Sequence, residues 1–234
     1  DFGQVQSDNI VLNLSPYEMF YNENRPFFTE GTELFNKAGI FYSRRVGNTP
    51  GGYYDALSLA VDSGYTILKN PSLTQLYNAT KFSGRTEKGL GIGIFNAVTA
   101  PMYATFKDDK GNKIEYQTEP LANYNIIVLD QSLKNRSSIT FTNTNVIRNG
   151  NARDANVSAL NLSLFDKKNM YNFQTSGYFS YVTGLDPHNG FSTFASFEKV
   201  SGTWQWDVFN NIESKNYDPN DLGILRAPNE ITTG

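Results

Sequence analysis

Catalytic chemistry has few candidate residues in this chain, because its 234 residues include one histidine and no cysteine. His188 stands in the turn-like stretch DPHNG, and any Ser-His-Asp triad would have to use it. A zinc site built from several Cys and His ligands is excluded by the same counts. Nothing in the sequence identifies a nucleophile beside His188. We therefore expect a solvated loop histidine, no catalytic residue and no enzymatic activity.

Two short patterns resemble ligand-binding loops but lack residues that such loops need. GLGIG at 89–93 is followed by the strand-like IFNAVTA, whereas a dinucleotide-binding loop leads into a helix. DDKGNK and DPNDLG contain the Asp, Asn and Gly of calcium loops, without the ligand spacing or the closing Glu of an EF-hand. The glycines of GLGIG fit close packing or curvature of a strand. Turn formation accounts for DDKGNK and DPNDLG, although a weak Ca²⁺ site within 216–222 stays open as an alternative. We expect neither a cofactor nor a metal ion.

The adjacent arginines Arg44 and Arg45 follow two aromatic residues in the stretch FYSRRVG. One interpretation is a surface loop. The other is an anchor, in which the planar guanidinium groups bridge carboxylates inside a polar lumen and hold this part of the chain in place. The sequence favours neither interpretation, and the anchor is the functional hypothesis for this pair.

The composition limits the classes of partner. A formal net charge of −3 leaves no basic surface of the kind that binds nucleic acid. Charged residues make up 18% of the chain, below the roughly 25% that is usual in soluble globular proteins. No apolar run approaches the ~20 residues of a membrane-spanning helix. The lack of cysteine suits an exported protein, and the start at DFGQVQSDNI, without a signal peptide, indicates a mature or internal fragment.

Alternating side chains between 156 and 184 divide the predicted strands into two unlike faces. One face is apolar and aromatic, and the other carries small uncharged residues such as Asn161, Ser163 and Gln174. A soluble β-sandwich would place Lys, Glu, Arg and Asp on its outer face, but here the charges gather in turns. The pattern therefore favours a membrane β-barrel over a soluble sandwich or barrel. The predicted lipid-facing residues are Leu160, Leu162, Leu164, Tyr171, Phe173, Phe179, Tyr181, Trp204 and Trp206.

The C-terminal two thirds of the chain should form about eight antiparallel strands. Short turns such as 166–169 alternate with longer connections such as 148–156, which is typical of an up-and-down meander. Several runs reach ten residues, long enough to cross a membrane as tilted strands. The predicted strands are 81–86, 89–99 continuing to 107, 113–130, 137–147, 156–166, 170–183, 190–199 and 203–213.

Residues 1–78 form a region of a different kind. They mix aromatic, acidic and proline residues without a sustained period of 2 or 3.6 residues, so neither a strand nor a helix is predicted for most of them. The stretch at 53–67, YYDALSLAVDSGYTI, fits a short helix or a strand, and both stay open. We interpret 1–78 as an irregular plug- or linker-like segment, either inside a lumen or on the periplasmic side.

Four stretches carry a family resemblance: DFGQVQSDNIVLNLSPYEMFYNENRPFFTEGTELFN, IFYSRRVG, KFSGRTEKGLGIGIFNAVT and DPNDLGIL. Together they resemble a family of large Gram-negative outer-membrane proteins of poorly defined function, and the resemblance covers most of the chain. It implies a barrel domain that follows a family-9 carbohydrate-binding-like module and continues into further strands, so this chain would be an internal segment. No catalytic residues are established for that family, and none is carried over.

The sequence therefore predicts an all-β protein, an antiparallel up-and-down transmembrane β-barrel present in part. The segment 1–78 would precede about eight barrel strands in 79–234. The predicted function is that of a channel, receptor or assembly component at the bacterial outer membrane, with glycan capture or uptake as one form of it. Expected partners are outer-membrane lipid, a glycan ligand and other outer-membrane or periplasmic proteins. The alternative is a soluble exported β-sandwich that binds carbohydrate through exposed Trp and Tyr, and a hydrolase is the least supported class.

Overall fold

An antiparallel sheet of nine strands dominates the computed structural model, which describes residues 20–225 and 228–234. A second antiparallel sheet has three strands. Two helices and one 3-10 turn precede the strands in the described chain: α1 (Pro26–Thr29), the turn Ser43–Arg45 and α2 (Tyr53–Ser63). The strands are β1 (Thr66–Lys69), β2 (Leu76–Arg85), β3 (Leu90–Thr99), β4 (Met102–Lys107), β5 (Lys113–Glu119), β6 (Ala122–Ser132), β7 (Ser138–Arg148), β8 (Asp154–Phe165), β9 (Tyr171–Thr183), β10 (His188–Lys199), β11 (Trp206–Glu213) and β12 (Ile231–Thr233).

The order of strands in the large sheet follows the order of the chain. It runs β12-β11-β10-β9-β8-β7-β6-β3-β2, and each neighbouring pair is antiparallel. The prediction of an all-β antiparallel architecture is therefore confirmed. The one departure from a simple meander lies between β3 and β6, where β4 and β5 leave the large sheet and join β1 in the small one.

Two predicted long strands are each divided at a proline. The run 89–107 breaks between β3 and β4 at Pro101, and the run 113–130 breaks between β5 and β6 at Pro120. Proline has no backbone N–H to donate to a ladder, so a central strand ends where it occurs. These two breaks release the β4–β5 hairpin from the large sheet. The prediction of continuous strands there was wrong.

The stretch 53–67, for which the sequence left helix and strand open, contains helix α2 and, in its last two residues, the start of β1. The helix ends at Gly64, whose φ of 68° gives the left-handed conformation that closes many helices. Its buried residues Ala56 and Ala60 pack against Ala104 and Phe106 of β4. Helix α2, β1 and the start of β2 all lie before residue 79, where the sequence placed the beginning of regular structure.

Residues 20–52, which we call the N-terminal segment, cover one face of the large sheet. Phe28, Leu34, Phe35 and Val46 belong to the same buried cluster as the inward-facing side chains of β3 and β6. The alternate glycines of GLGIG make this approach feasible, because a Cβ atom at position 91 would lie 2.8 Å from Leu34 Cδ2. The part of the predicted plug or linker in 1–19 lies outside the described residues.

The large sheet is open within the described chain. Strands β2 and β12 stand at its two edges, each with one neighbour in that sheet, so the nine strands do not close into a barrel by themselves. None of the helices in 20–225 and 228–234 has the length and apolar character to cross a membrane. The architecture shown by the chain is thus an open, all-β antiparallel sheet with a covered face and a bare one.

Candidate functional site

The bare face of the large sheet has an unusual composition for an exposed surface. Large apolar and aromatic side chains occupy alternate positions on eight of its strands, and each of them is at least 36% exposed. Nothing in the described chain packs over them. We call this surface the apolar face. Its exposed members are Phe82, Ile94, Ile127, Leu129, Ile139, Phe141, Ile147, Leu160, Leu164, Tyr171, Phe173, Phe179, Tyr181, Phe191, Phe197, Trp206 and Val208.

Most of the residues predicted to face lipid lie on the apolar face. Seven of them are exposed strand residues: Leu160, Leu164, Tyr171, Phe173, Phe179, Tyr181 and Trp206. Leu162 lies on the same face and is partly buried between Ile139 and Thr175, its partners on the adjacent strands. Trp204 differs, because it lies in the connection before β11 and is 80% exposed.

An aromatic cluster marks the end of the apolar face near the β8–β9 and β10–β11 turns. The rings of Tyr171 and Phe197 are stacked with centroids 6.0 Å apart. Trp206 meets Phe197 edge-on at 5.6 Å. Aromatic rings at strand ends, with aliphatic side chains further along the strands, are the arrangement found at the rims of membrane barrels.

The opposite face of the sheet is covered and carries smaller side chains. Thr142 of β7, Ala159 of β8 and Ser180 of β9 are at most 1% exposed. Two parts of the chain cover this face, namely the N-terminal segment and residues 216–225, which we call the C-terminal strap. Tyr217 of the strap packs with Val157 and Ala159. The molecule therefore buries the side of the sheet that is less apolar.

Asp130 ties the N-terminal segment to the covered face. Its carboxylate is fully buried and accepts hydrogen bonds from Lys37 Nζ at 2.8 Å and Arg85 Nη2 at 2.6 Å. Thr140 Oγ1 donates a third, at 2.6 Å. Burial would raise the pKa of Asp130, but the bonds from Lys37, Thr140 and Arg85 outweigh it and hold the pKa below its usual range. This ion group joins the N-terminal segment to β2, β6 and β7.

A second ion group ties the C-terminal strap to the sheet. Arg153 Nη2 lies 2.5 Å from Asp218 Oδ2 and 2.8 Å from Asp221 Oδ2. Arg148 Nη1 reaches Asp221 Oδ1 at 2.8 Å. These carboxylates lie within 216–222, where a weak Ca²⁺ site was one alternative from the sequence. In the structure they bind guanidinium groups instead. Among the described residues, no set of three His, Asp or Glu side chains converges as metal ligands do.

Arg44 and Arg45, the predicted anchors, lie in the 3-10 turn of the N-terminal segment. Arg44 is 5% exposed, and its Nη1 donates to the carbonyl of Asn22 at 2.8 Å. Arg45 Nε donates to the carbonyl of Gly223 at 3.0 Å, which links the N-terminal segment to the C-terminal strap. Each guanidinium also lies over a tyrosine ring. Both residues therefore help to hold the covering segments in place, and their contacts include backbone carbonyls and tyrosine rings.

Arg25 carries a third guanidinium in the N-terminal segment, and it was not among the residues predicted from the sequence. Its Nη2 lies 2.7 Å from Glu23 Oε2, and its Nη1 donates to the carbonyl of Val46 at 2.7 Å. Burial opposes ionisation of Glu23, but the bonds from Arg25 and Ser43 lower the pKa of Glu23 to about 2. Asp130 was also missed, although a single acid in the apolar stretch IIVLDQS is a signal for a buried ion pair.

His188 begins β10 and lines a hollow of about 520 Å³ at the end of the sheet where the longer connections lie. Its Nδ1 lies 2.6 Å from the carbonyl of Asp186, and its Nε2 lies 3.5 Å from Asp218 Oδ2. The histidine is therefore partly enclosed, whereas the sequence predicted a solvated loop residue. The hollow is also lined by Lys215, Asn216, Tyr217 and Asn220.

Comparison with known proteins gives a family match along the whole sequence. Residues 1–234 match the model of a family described as a domain of unknown function, DUF5916. No match was found among curated proteins or among solved structures. Because the family description states no function, the functional argument depends on the surfaces and contacts of the chain itself.

Proposed function

We propose that this chain, which belongs to the DUF5916 family of domains of unknown function, forms part of the wall of a β-barrel in the bacterial outer membrane. The apolar face contacts lipid, and the covered face lines the interior of the barrel. The N-terminal segment and the C-terminal strap fill part of that interior. The protein acts there as a channel, receptor or assembly component, and glycan capture or uptake is one form of this role.

The exposure of the apolar face is the observation that carries the proposal. Soluble monomers rarely expose contiguous apolar patches larger than a few hundred Å². Here such side chains occur on eight adjacent strands of one face of the large sheet, from Phe82 on β2 to Val208 on β11. A face of this composition requires an apolar surrounding, and lipid supplies it over the entire sheet.

The length of the strands supports the same proposal. Tyr171 and Tyr181 are ten residues apart on β9, and both lie on the apolar face. At about 3.4 Å per residue they are about 34 Å apart along the strand. A tilt of about 40° reduces the height to about 26 Å, close to the ~25 Å apolar band of outer-membrane barrels. The apolar face of β9 is therefore long enough to cross such a band.

The two edges of the large sheet are consistent with a barrel wall that contains further strands. An open sheet edge does not occur within lipid, because its N–H and C=O groups would have no partners. In our proposal, further strands therefore pair with β2 and β12 and close the barrel. This requirement also explains how a sheet that is open in the described chain can be part of a closed structure.

The soluble carbohydrate-binding sandwich agrees less well with the contacts. A β-sandwich buries its core between two packed sheets. Within the described residues, the small sheet of β1, β4 and β5 does not cover the apolar face, whose side chains remain exposed. A soluble protein would have to leave this whole face in water.

Cell fractionation and spin labelling test the proposal together. The protein should sediment with outer membranes and migrate faster on gels before heating than after it. A spin label at Phe179→Cys, an exposed position of the apolar face, should be reached by oxygen dissolved in lipid. A label at the adjacent Ser180→Cys, a fully buried inward position, is the matched control and should not. Recovery in the soluble fraction, or access of a water-soluble relaxation agent to position 179, would contradict the proposal.

The two ends of the sheet should lie on opposite sides of the membrane. Bacterial barrels keep their periplasmic turns short and their external loops longer, so the β8–β9 turn should face the periplasm and the β7–β8 connection the exterior. A membrane-impermeant thiol reagent on intact cells should label Asn151→Cys and spare Lys168→Cys, since both positions are exposed and only one would be outside. Labelling of Lys168→Cys alone would reverse the proposed orientation.

A further inference from the structure

A patch of asparagine side chains interrupts the apolar face. Asn96, Asn125, Asn145 and Asn156 lie directly opposite one another on β3, β6, β7 and β8, so four asparagines form a row across four adjacent strands. Three more neutral polar residues extend the row on the same face. We call the whole set the asparagine patch: Asn96, Asn123, Asn125, Asn143, Asn145, Asn156 and Ser158. All seven are partly exposed.

On β3 and β7 the patch has apolar side chains on both sides along the strand. On β7, Phe141 precedes it and Ile147 follows it, and they are 39% and 51% exposed. On β3, Ile94 and Val98 flank Asn96 in the same way. On these two strands the patch therefore lies within the apolar face, whereas on β8 Asp154 follows Asn156 on that face. If the asparagines only marked the edge of the apolar band, no exposed apolar residue would be expected beyond them, but Ile147 lies there on β7.

Hydrogen bonds within the patch satisfy only part of its capacity. Asn96 Nδ2 donates to Asn123 Oδ1 at 2.7 Å and to Asn125 Oδ1 at 2.8 Å. Asn143 Nδ2 donates to Asn156 Oδ1 at 3.0 Å and to Ser158 Oγ at 2.9 Å.

Each carboxamide has two N–H donors and an acceptor oxygen. Within 20–225 and 228–234, the Nδ2 groups of Asn123, Asn125 and Asn145 donate no side-chain hydrogen bond, and lipid could not accept one.

We propose that the asparagine patch is the surface through which two copies of this barrel associate in the membrane. The inference rests on the proposed function, because only a lipid-facing patch lacks water as its partner. Polar side chains on membrane-spanning elements promote association, because those of two copies can form hydrogen bonds with each other and lipid offers them no partner. The exposed apolar residues around the patch would pack at the rim of the contact.

A second copy is the occupant that the chemistry favours. Carboxamides donate and accept in equal measure, so a patch of them is complementary to itself across a twofold axis, where each residue can meet its counterpart. The patch contains no Lys or Arg, which recognition of lipid phosphate groups would require. It contains no acid either, so it has no charge with which to select a basic partner.

Removing the amides should weaken association of the copies and leave folding of the barrel intact. The double variant Asn125→Leu/Asn145→Leu should weaken self-association in lipid vesicles about tenfold or more, as counted by single-molecule photobleaching. The same variant should keep the heat-dependent gel shift of the folded barrel. Thr193→Leu is the matched control, since it replaces another exposed polar residue of the same face on β10, outside the patch. It should associate like the wild type.

Crosslinking provides an independent measure of the same contact. The chain has no native cysteine, so Asn145→Cys introduces a single thiol into it. A short bis-maleimide should join two copies at Asn145→Cys and fail to join them at Thr193→Cys. A folded, membrane-inserted protein that remains monomeric would overturn the dimer proposal, as would association that the double variant leaves unchanged or crosslinking to a different protein. Loss of the heat-dependent shift in the wild type would instead contradict the proposed barrel.

Discussion

Replacing Asp130 by alanine is expected to lower the free energy of unfolding by about 3 kcal/mol, near the lower end of the cost of breaking a buried ion pair. The variant leaves Lys37 and Arg85 without their buried carboxylate, although both keep some contact with water and with Glu33. Because Lys37 belongs to the N-terminal segment, amide hydrogen exchange in that segment should also become faster. Denaturant titration of the folded protein in detergent gives the free energy.

Glu115→Ala on β5 is the matched control, since this strand acid is exposed. It should change the free energy of unfolding by no more than about 0.5 kcal/mol, the usual range for surface substitutions. If Asp130→Ala and Glu115→Ala cost the same, or if hydrogen exchange in 20–52 does not respond, Asp130 is not the attachment point of the N-terminal segment.

The contribution of Asp130 should also depend on pH. Its pKa in the folded protein lies below its usual value, so the stabilisation is fully present above the unfolded pKa of about 4. It is lost as the pH falls through the lower folded pKa. The difference in unfolding free energy between the wild type and Asp130→Asn should therefore be constant at neutral pH and shrink in acid. A difference that grows on acidification would contradict the ion-pair assignment.

Replacing Leu160 by arginine should cost about 2–4 kcal/mol when the protein folds into lipid, the range for a basic side chain on the lipid face near the bilayer centre. Leu160 is 51% exposed on β8, between Phe141 of β7 and Gly177 of β9. In water such an exposed position tolerates arginine almost without cost. The same substitution thus separates a membrane wall from a soluble sheet, and reversible folding into lipid vesicles measures it.

Ser163→Arg is the companion variant on the same strand. Ser163 points to the covered face, where its Oγ donates to Asn172 Oδ1 at 3.1 Å. An arginine there enters the polar interior proposed for the barrel, so the cost should be well below that of Leu160→Arg. Equal costs at the two positions, or a larger cost at Ser163, would contradict the assignment of the two faces.

The sequence by itself determined the local features of this fold. Alternation of side chains is a property of one strand, so Leu160, Leu164, Phe173 and Phe179 could be assigned to one face without knowledge of their neighbours. Glycine and aspartate turns were recognisable for the same reason. The prolines at 101 and 120 also indicate strand breaks, because the missing N–H is a local property, although the predicted strands ran through both positions.

Only the tertiary structure decided what depends on pairing between distant parts of the chain. Lys37 and Asp130 are 93 residues apart, and their contact exists because the N-terminal segment docks on the covered face. The sequence singled out Arg44 and Arg45, which the fold joins to carbonyls such as that of Gly223, and overlooked Asp130. Register between strands is likewise non-local, so four asparagines scattered between 96 and 156 become a continuous row only after the sheet has formed.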